Sequence, residues 1–370
     1  MREFPVFVVG TRAQLIKVAP VLVACQRRQL AAHLIMTGQH YETMQDLIDE
    51  FGISTPISHA IVGREHATVG SLLRWLPAAY SGLVRGLSDL SRQHGPLSVV
   101  VHGDTLSTVV GAVAAKRTRN SVVHLESGLT SGRIWDPFPE ELSRRVVFRM
   151  TDVAFCPNEA AATQMRQFRS CAAINTNGNT IVDAVRLSGP FRKWQSADRP
   201  YVVASLHRFQ NLFNSARLEY LVAAIEEISQ AYLVHFVLHP ATRKRLESTG
   251  LLSRLQSHPA INLSPRLGYK QFINLAAGAD CVLTDGGSNQ EELAALGVPT
   301  IIMRETTERP DGLGRNAIME GMMGCGAARY VMERRFESLR RSRELQADLG
   351  PSDLIARVLA GQLDPKNGAQ

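Results

Sequence analysis

Residues 122–142 read VVHLESGLTSGRIWDPFPEEL. Glu126 closes an apolar run, and Glu140 and Glu141 follow behind a Pro-Phe-Pro, so three carboxylates gather around a loop instead of along an exposed helix. Such a grouping suits general acid/base chemistry, in which one group removes a proton and another returns it. Plainer explanations are available for single residues. Glu140 in the first turn of a helix is a favourable charge that can pair with Arg144 four residues on, and Asp104 in HGDT can be a turn residue or a helix cap.

Two glycine-bearing turns add a different chemistry. VVGTRAQLIK places Gly10 at the end of an apolar run, then Arg12, then a helical segment carrying Lys17. LTDGGSNQEELAALG places Gly286 and Gly287 ahead of Ser288, with Glu292 one helical turn later on the same face. Where a strand gives way to a helix through glycine, backbone amides are open to an anion such as a phosphate. An ordinary turn with a solvated arginine explains the first stretch equally well. A capping box of Ser288 with Glu291 explains the serine of the second, but not the two glycines before it.

The elements that must position these residues are short apolar runs alternating with longer segments of helical period, the pattern of parallel βαβ units. One set includes FPVFVVG, AHLIMTG, PLSVVVHGD, SVVHLES and DVAFCPN as strands; a second includes RPYVVASLH, YLVHFVLHP, DCVLTDGG and VPTIIMRE. Between them, residues 175–200 are rich in Asn, Gly and Pro without sustained period, which suits a domain junction. Two such sets joined by a linker suggest a cleft between two α/β halves; the expectation is of Rossmann-like domains over 1–180 and 181–370, and the last helix can return to the first.

Composition bounds the function. A chain of 370 residues at 45% hydrophobic content can bury a sizeable core. The net charge of +7 is spread along the chain with no basic tract interleaved with aromatics, so an anionic small substrate accounts for it and nucleic acid is not expected. Cys25, Cys156, Cys171, Cys281 and Cys325 form no CxxC pair, which suits reduced thiols and no metal framework. No stretch approaches the roughly 20 apolar residues of a membrane span, and the N-terminus lacks a signal-peptide pattern, so a cytoplasmic protein is expected.

Ten stretches in order, among them GTRAQLIKVAPV, HGDTLST, HLESGLTSG, PFPEELSRR, LHRFQN, TDGGSNQEE and RETTERP, resemble the UDP-N-acetylglucosamine 2-epimerase family, whose members have the two-domain GT-B fold. The resemblance implies that UDP is eliminated from a UDP-N-acetylhexosamine to give a 2-acetamidoglucal, and is added back after protonation of C2 from the other face. It implies Asp104, Glu126 and Glu140 as acid/base groups around the sugar. It also implies His207 and Arg12 at the pyrophosphate and reacting centre, with Gly286, Gly287 and Ser288 as the phosphate cradle. Glu292 would accept the ribose hydroxyls, Gln271 and Phe272 would lie at the uracil, and Arg309 near the sugar or phosphate. Lys17 joins the substrate-binding set; no cofactor or metal is implied, and a homodimer is.

Departures from the family pattern are local. ESGLTSG stands where EAGLRTG is usual, so Thr130 replaces an arginine and Arg133 is a displaced substitute; GTRAQ replaces GTRPE, and the serine of TDSGG moves two places to Ser288. The effector segment keeps Gln39, His40 and Arg208, while VGREHATVG lacks the glutamine used for effector binding. The altered loop motivates an alternative, a GT-B glycosyltransferase that grips the same nucleotide and passes the sugar to an acceptor. A binding protein without catalysis is a third reading, against which the retention of all three carboxylates argues.

Overall fold

The computed structural model describes residues 3–38, 44–61, 69–132, 139–168, 170–191, 200–304, 311–343, 345 and 349–364. The chain divides into two compact units, Met1–Leu187 with Gln346–Gln370, and Ser188–Leu345.

The first unit is built on a seven-stranded sheet whose described pairings are all parallel: β1 (Phe4–Val9), β2 (His33–Met36), β3 (Ile57–His59), β4 (Leu97–His102), β5 (Ser121–Leu125), β6 (Val153–Cys156) and β7 (Ala172–Asn175), ordered 3-2-1-4-5-6-7. Val6, Val8, Leu97, Val99, Val101 and Val122 are fully buried, as strands covered on both faces by helices must be. The last helix, Pro351–Leu359, belongs to this unit. Buried Asp183 accepts from the Gly350 and Ser352 amides at 3.0 and 2.8 Å, and Arg28 pairs with Asp353 at 2.6 Å.

The second unit repeats the plan with six strands, β8 (Tyr201–Ser205), β9 (Leu233–Leu238), β10 (Ile261–Pro265), β11 (Cys281–Thr284), β12 (Thr300–Ile302) and β13 (Ala317–Met319), ordered 10-9-8-11-12-13 and again parallel. Two Rossmann-like α/β units of this kind are the GT-B class of fold. All five cysteines are free thiols.

Two details differ from the sequence reading. Residues 175–200, read as an aperiodic junction, contain the helix Ile181–Leu187, which groups with the first unit although a boundary at 180 assigns it to the second. Asp183, Ala184 and Val185 of that helix are buried, so tertiary packing supplies what one short turn-rich stretch could not show by period. Among the described residues no helix is long and apolar enough to cross a membrane.

Candidate active site

In the first sheet the strand order reverses between β1 and β4, and in the second between β8 and β11. Open α/β sheets bind ligands at the carboxyl ends of such strands. Gly10 to Arg12 follow β1 and Gly103 to Thr105 follow β4. A Cβ on Gly10 would lie 1.8 Å from Ser107 Oγ, so glycine is what lets the two loops close on each other. Thr11 caps the helix Arg12–Arg27 in a capping box with Gln14. Gln14 also spans both loops: its oxygen accepts from the Gly10 and Thr11 amides at 2.9 and 3.1 Å, and its amide donates to His102 O at 2.7 Å and Thr108 Oγ1 at 3.0 Å. The glutamate of the usual GTRPE could not make those two donations in its ionised form.

Glu126 stands one residue past β5 in the left-handed region, φ 57°. A residue with a side chain is held there only when its surroundings impose it, and such outliers cluster at functional sites. Lys17 Nζ lies 2.5 Å from Glu126 Oε2, the side chains being 6% and 10% exposed, and His102 Nε2 lies 3.3 Å from the same oxygen. Beneath them His124 donates from Nε2 to Gly103 O at 2.8 Å. Burial pushes His124 down to about 4, so its ring is neutral at ordinary pH.

The remaining carboxylates are in contrasting states. Arg144 binds Asp104 at 2.5 Å and approaches Glu141 Oε2 at 3.5 Å, so it does not serve Glu140 as the simple helix-pair explanation had it. Glu141 is fully buried and accepts from Thr130 Oγ1 at 2.5 Å, Ser131 N at 3.1 Å and Arg145 Nε at 3.0 Å. Burial alone would raise its carboxyl, but these donors and the Arg144 charge outweigh burial and hold it below the usual range. Glu140, the first residue of the helix Glu140–Phe148, is half-buried, and its buried Oε2 has no hydrogen-bond partner among the described residues. Arg12 is nearly buried and pairs with Asp46.

In the second unit His207 follows β8 and Asp285 follows the neighbouring β11. Gly286 is the N-cap of the helix Gly287–Leu296 and no side chain caps it. Ser288 is therefore the second helical residue and not the cap, and the capping box with Glu291 is not formed. A Cβ on Gly286 would meet Asn289 Oδ1 at 2.7 Å and His207 Cε1 at 3.0 Å, so the histidine ring lies against the helix start where the usual serine would stand. His207 stacks on His239 with centroids 4.9 Å apart and 25° between planes. Burial, aided by Arg208 and Arg266, lowers the imidazole below its ordinary value, and Asp285 opposes them.

Glu292 is buried on the same helix. Gln271 is exposed and Phe272 half-buried on the helix Tyr269–Ala277. Arg309, Arg133, Gln39 and His40 lie outside the described residues. The first unit thus carries Arg12, Lys17, Asp104, Glu126 and Glu140, and the second carries His207, Gln271, Phe272, Gly286, Gly287, Ser288 and Glu292. Sequence reasoning passed over His102, His124 and Asp285, and named Glu141 in the carboxylate group without giving it a role, although all four fall within stretches it singled out. A histidine or carboxylate flanked by Val, Leu or Gly was the available signal.

Fold and site together define a GT-B protein with a glycine-bearing helix start, Gly286–Ser288, in one unit and a carboxylate cluster in the other. Residues 23–348 match the family described as UDP-N-acetylglucosamine 2-epimerase. A protein of that name from Methanocaldococcus jannaschii is 32% identical over 320 residues, covering 82% of this chain and 84% of that one; one from Bacillus subtilis is 29% identical, covering 85% and 82%. The solved M. jannaschii UDP-GlcNAc 2-epimerase superposes with a TM-score of 0.75 at 26% identity, covering 98% of this chain and 100% of that one. The chain belongs to the UDP-N-acetylglucosamine 2-epimerase family.

Proposed function

We propose that this chain inverts C2 of UDP-N-acetylglucosamine by eliminating and re-adding UDP. The C2 proton is not adjacent to a carbonyl and is only weakly acidic, so direct removal and return is unfavourable. In the elimination, a base takes the C2 proton, its electron pair forms the C1=C2 bond, and the C1–O bond breaks to release UDP. Protonation of the resulting 2-acetamidoglucal at C2 from the opposite face, with UDP returning to C1, gives the manno epimer. Water adding in place of UDP would give free N-acetylmannosamine and UDP.

The observation that carries the reading is the contrast between two carboxylates of one unit. Glu126 is ion-paired with the Lys17 ammonium, with His102 Nε2 3.3 Å from the same oxygen, and we assign it the role of base. Glu140 has a buried oxygen without a hydrogen-bond partner among the described residues, a costly arrangement that a substrate hydrogen bond would relieve. Asp104, steered by Arg144, completes the acid/base set. On the nucleotide side the Gly286, Gly287 and Ser288 backbone meets the pyrophosphate with Arg12, His207 and Arg309. Glu292 takes the ribose diol, and Gln271 and Phe272 the uracil. The related M. jannaschii enzyme has been solved in complex with UDP-GlcNAc and UDP, which supports that ligand class. A cytoplasmic homodimer completes the proposal.

Reaction of UDP-GlcNAc in D2O, followed by NMR, tests it. Product should carry deuterium at C2. Glu126→Gln and Glu140→Gln should each lower turnover at least about 100-fold, while calorimetry finds UDP affinity little changed. Turnover without C2 deuterium, or a requirement for an acceptor, would replace the epimerase by the glycosyltransferase.

A further inference from the structure

The reaction scheme gives no task to Asp285, yet its carboxylate accepts from three residues of one turn. Fully buried at the end of β11, it accepts from the His207 amide at 2.9 and 3.0 Å, the Arg208 amide at 2.9 Å and Asn211 Nδ2 at 2.8 Å. Asn211 Nδ2 also donates to Met303 O at 2.9 Å. Every partner lies in or behind the LHRFQN turn that carries His207. Asp285 Oδ1 also lies 3.3 Å from the buried His207 Nδ1, close enough for charge attraction but short of hydrogen-bond geometry, and Nδ1 has no other hydrogen-bond partner among the described residues. The next residue, Gly286, lacks the Cβ that would strike His207 Cε1, so the same two-residue step holds the ring's backbone and clears its berth.

We infer that Asp285 is a positioning residue for His207: it fixes the turn, holds the ring against Gly286 and keeps the proton of the neutral imidazole on Nδ1. Carboxylate oxygens accept, so a small turn of the ring completes this approach as a hydrogen bond only with the proton on Nδ1. The lone pair is then on Nε2, the nitrogen left to accept a proton or hydrogen bond from the bound substrate and, once charged, to donate to an anionic leaving group. Among the described residues, the charged and titratable groups acting on this ring are Asp285, Arg208, Arg266 and the stacked His239; of these only Asp285 favours the imidazolium. Without it, both arginines and burial would act on the ring unopposed. The inference rests on the reading of His207 as a group that serves the UDP-sugar.

The test uses the full chain labelled with 15N-histidine, with the His207 signals assigned by His207→Gln. In the wild-type protein the neutral form of His207 should be protonated on Nδ1. Asp285→Asn should lose that preference and shift the His207 titration downward by about 1 to 3 pH units, the usual influence of a close opposite charge. Its kcat should fall by up to about 100- to 10,000-fold, the full contribution of a positioned acid/base group. A wild-type His207 protonated on Nε2 overturns the inference, and this holds even where Asp285→Asn does not fold. So does an Asp285→Asn protein that titrates and turns over as wild type. The tautomer is read without turnover, so a chain that fails to epimerise UDP-GlcNAc sinks the proposed function while the tautomer result still decides this inference.

Discussion

Glu141 offers the most exacting check on the architecture of the first unit. Its carboxylate is fully buried and receives Thr130 Oγ1, the Ser131 amide and Arg145 Nε, with Arg144 close by. Glu141→Gln keeps the shape and one acceptor oxygen, but turns an NH2 group toward donors. Thr130 can rotate its hydroxyl to accept; the Ser131 amide and the Arg145 guanidinium cannot. Hydrogen bonds to a charged group contribute about 1.5–3 kcal/mol each, and breaking a buried ion pair by removing one partner costs about 3–5 kcal/mol. The second figure is the better guide, because two cations lose their shared anion, so we expect destabilisation of about 3–5 kcal/mol. Urea denaturation followed by tryptophan fluorescence, to which Trp75, buried in the same unit, contributes, should show a lower midpoint at unchanged slope. Turnover should fall as well, since Arg144 bridges Glu141 and Asp104. The sign with pH is fixed too. The folded carboxyl is held below its ordinary value, so its stabilisation is present above that value and is lost as pH falls through the folded one. Glu141→Gln should lack this acid-dependent loss. A variant within about 1 kcal/mol of wild type, the ordinary effect of a point substitution, and with full turnover would refute the reasoning.

Two further outcomes follow from single contacts. Glu292→Ala should weaken UDP binding by about 1.5–3 kcal/mol, the scale of hydrogen bonds to a charged group, and calorimetry giving wild-type affinity would move the ribose elsewhere. His124 titrates near 6.5 when unfolded but at about 4 when folded, so the unfolded chain binds the extra proton first and stability should fall by about 1.4 kcal/mol per unit as pH drops from 6.5 towards 4. That slope should flatten in His124→Gln, and denaturation midpoints with the same slope in both proteins would show that the ring is not the titrating group.

What sequence could and could not reveal follows from where each residue sits. The interior strands β1, β4, β5, β8 and β11 were legible because burial on both faces writes a continuous apolar run. The strands it passed over include β3, β7, β10 and β13, and these are the edges of the two sheets. Ile57, Asn262 and Ser264 are not buried, so such edges carry a broken pattern that resembles a loop. The site divides in the same way. Glu126, Glu140 and the Gly286–Ser288 turn sit at strand ends and helix starts, positions that spacing marks. Asp285 and Glu141 stand beside them in the chain, yet their work is defined by partners on other elements: the turn after a neighbouring strand for one, the Thr130–Ser131 loop for the other. A motif shows that a carboxylate is present; whether it meets solvent, substrate or a buried donor depends on contacts across the sheet. The adjacent pair Glu140 and Glu141 makes the point, since one oxygen of the first lacks a partner among the described residues and the second is saturated. The same doublet thus supplies both the group we propose for the chemistry and the anchor that holds its helix to the loop in front of it.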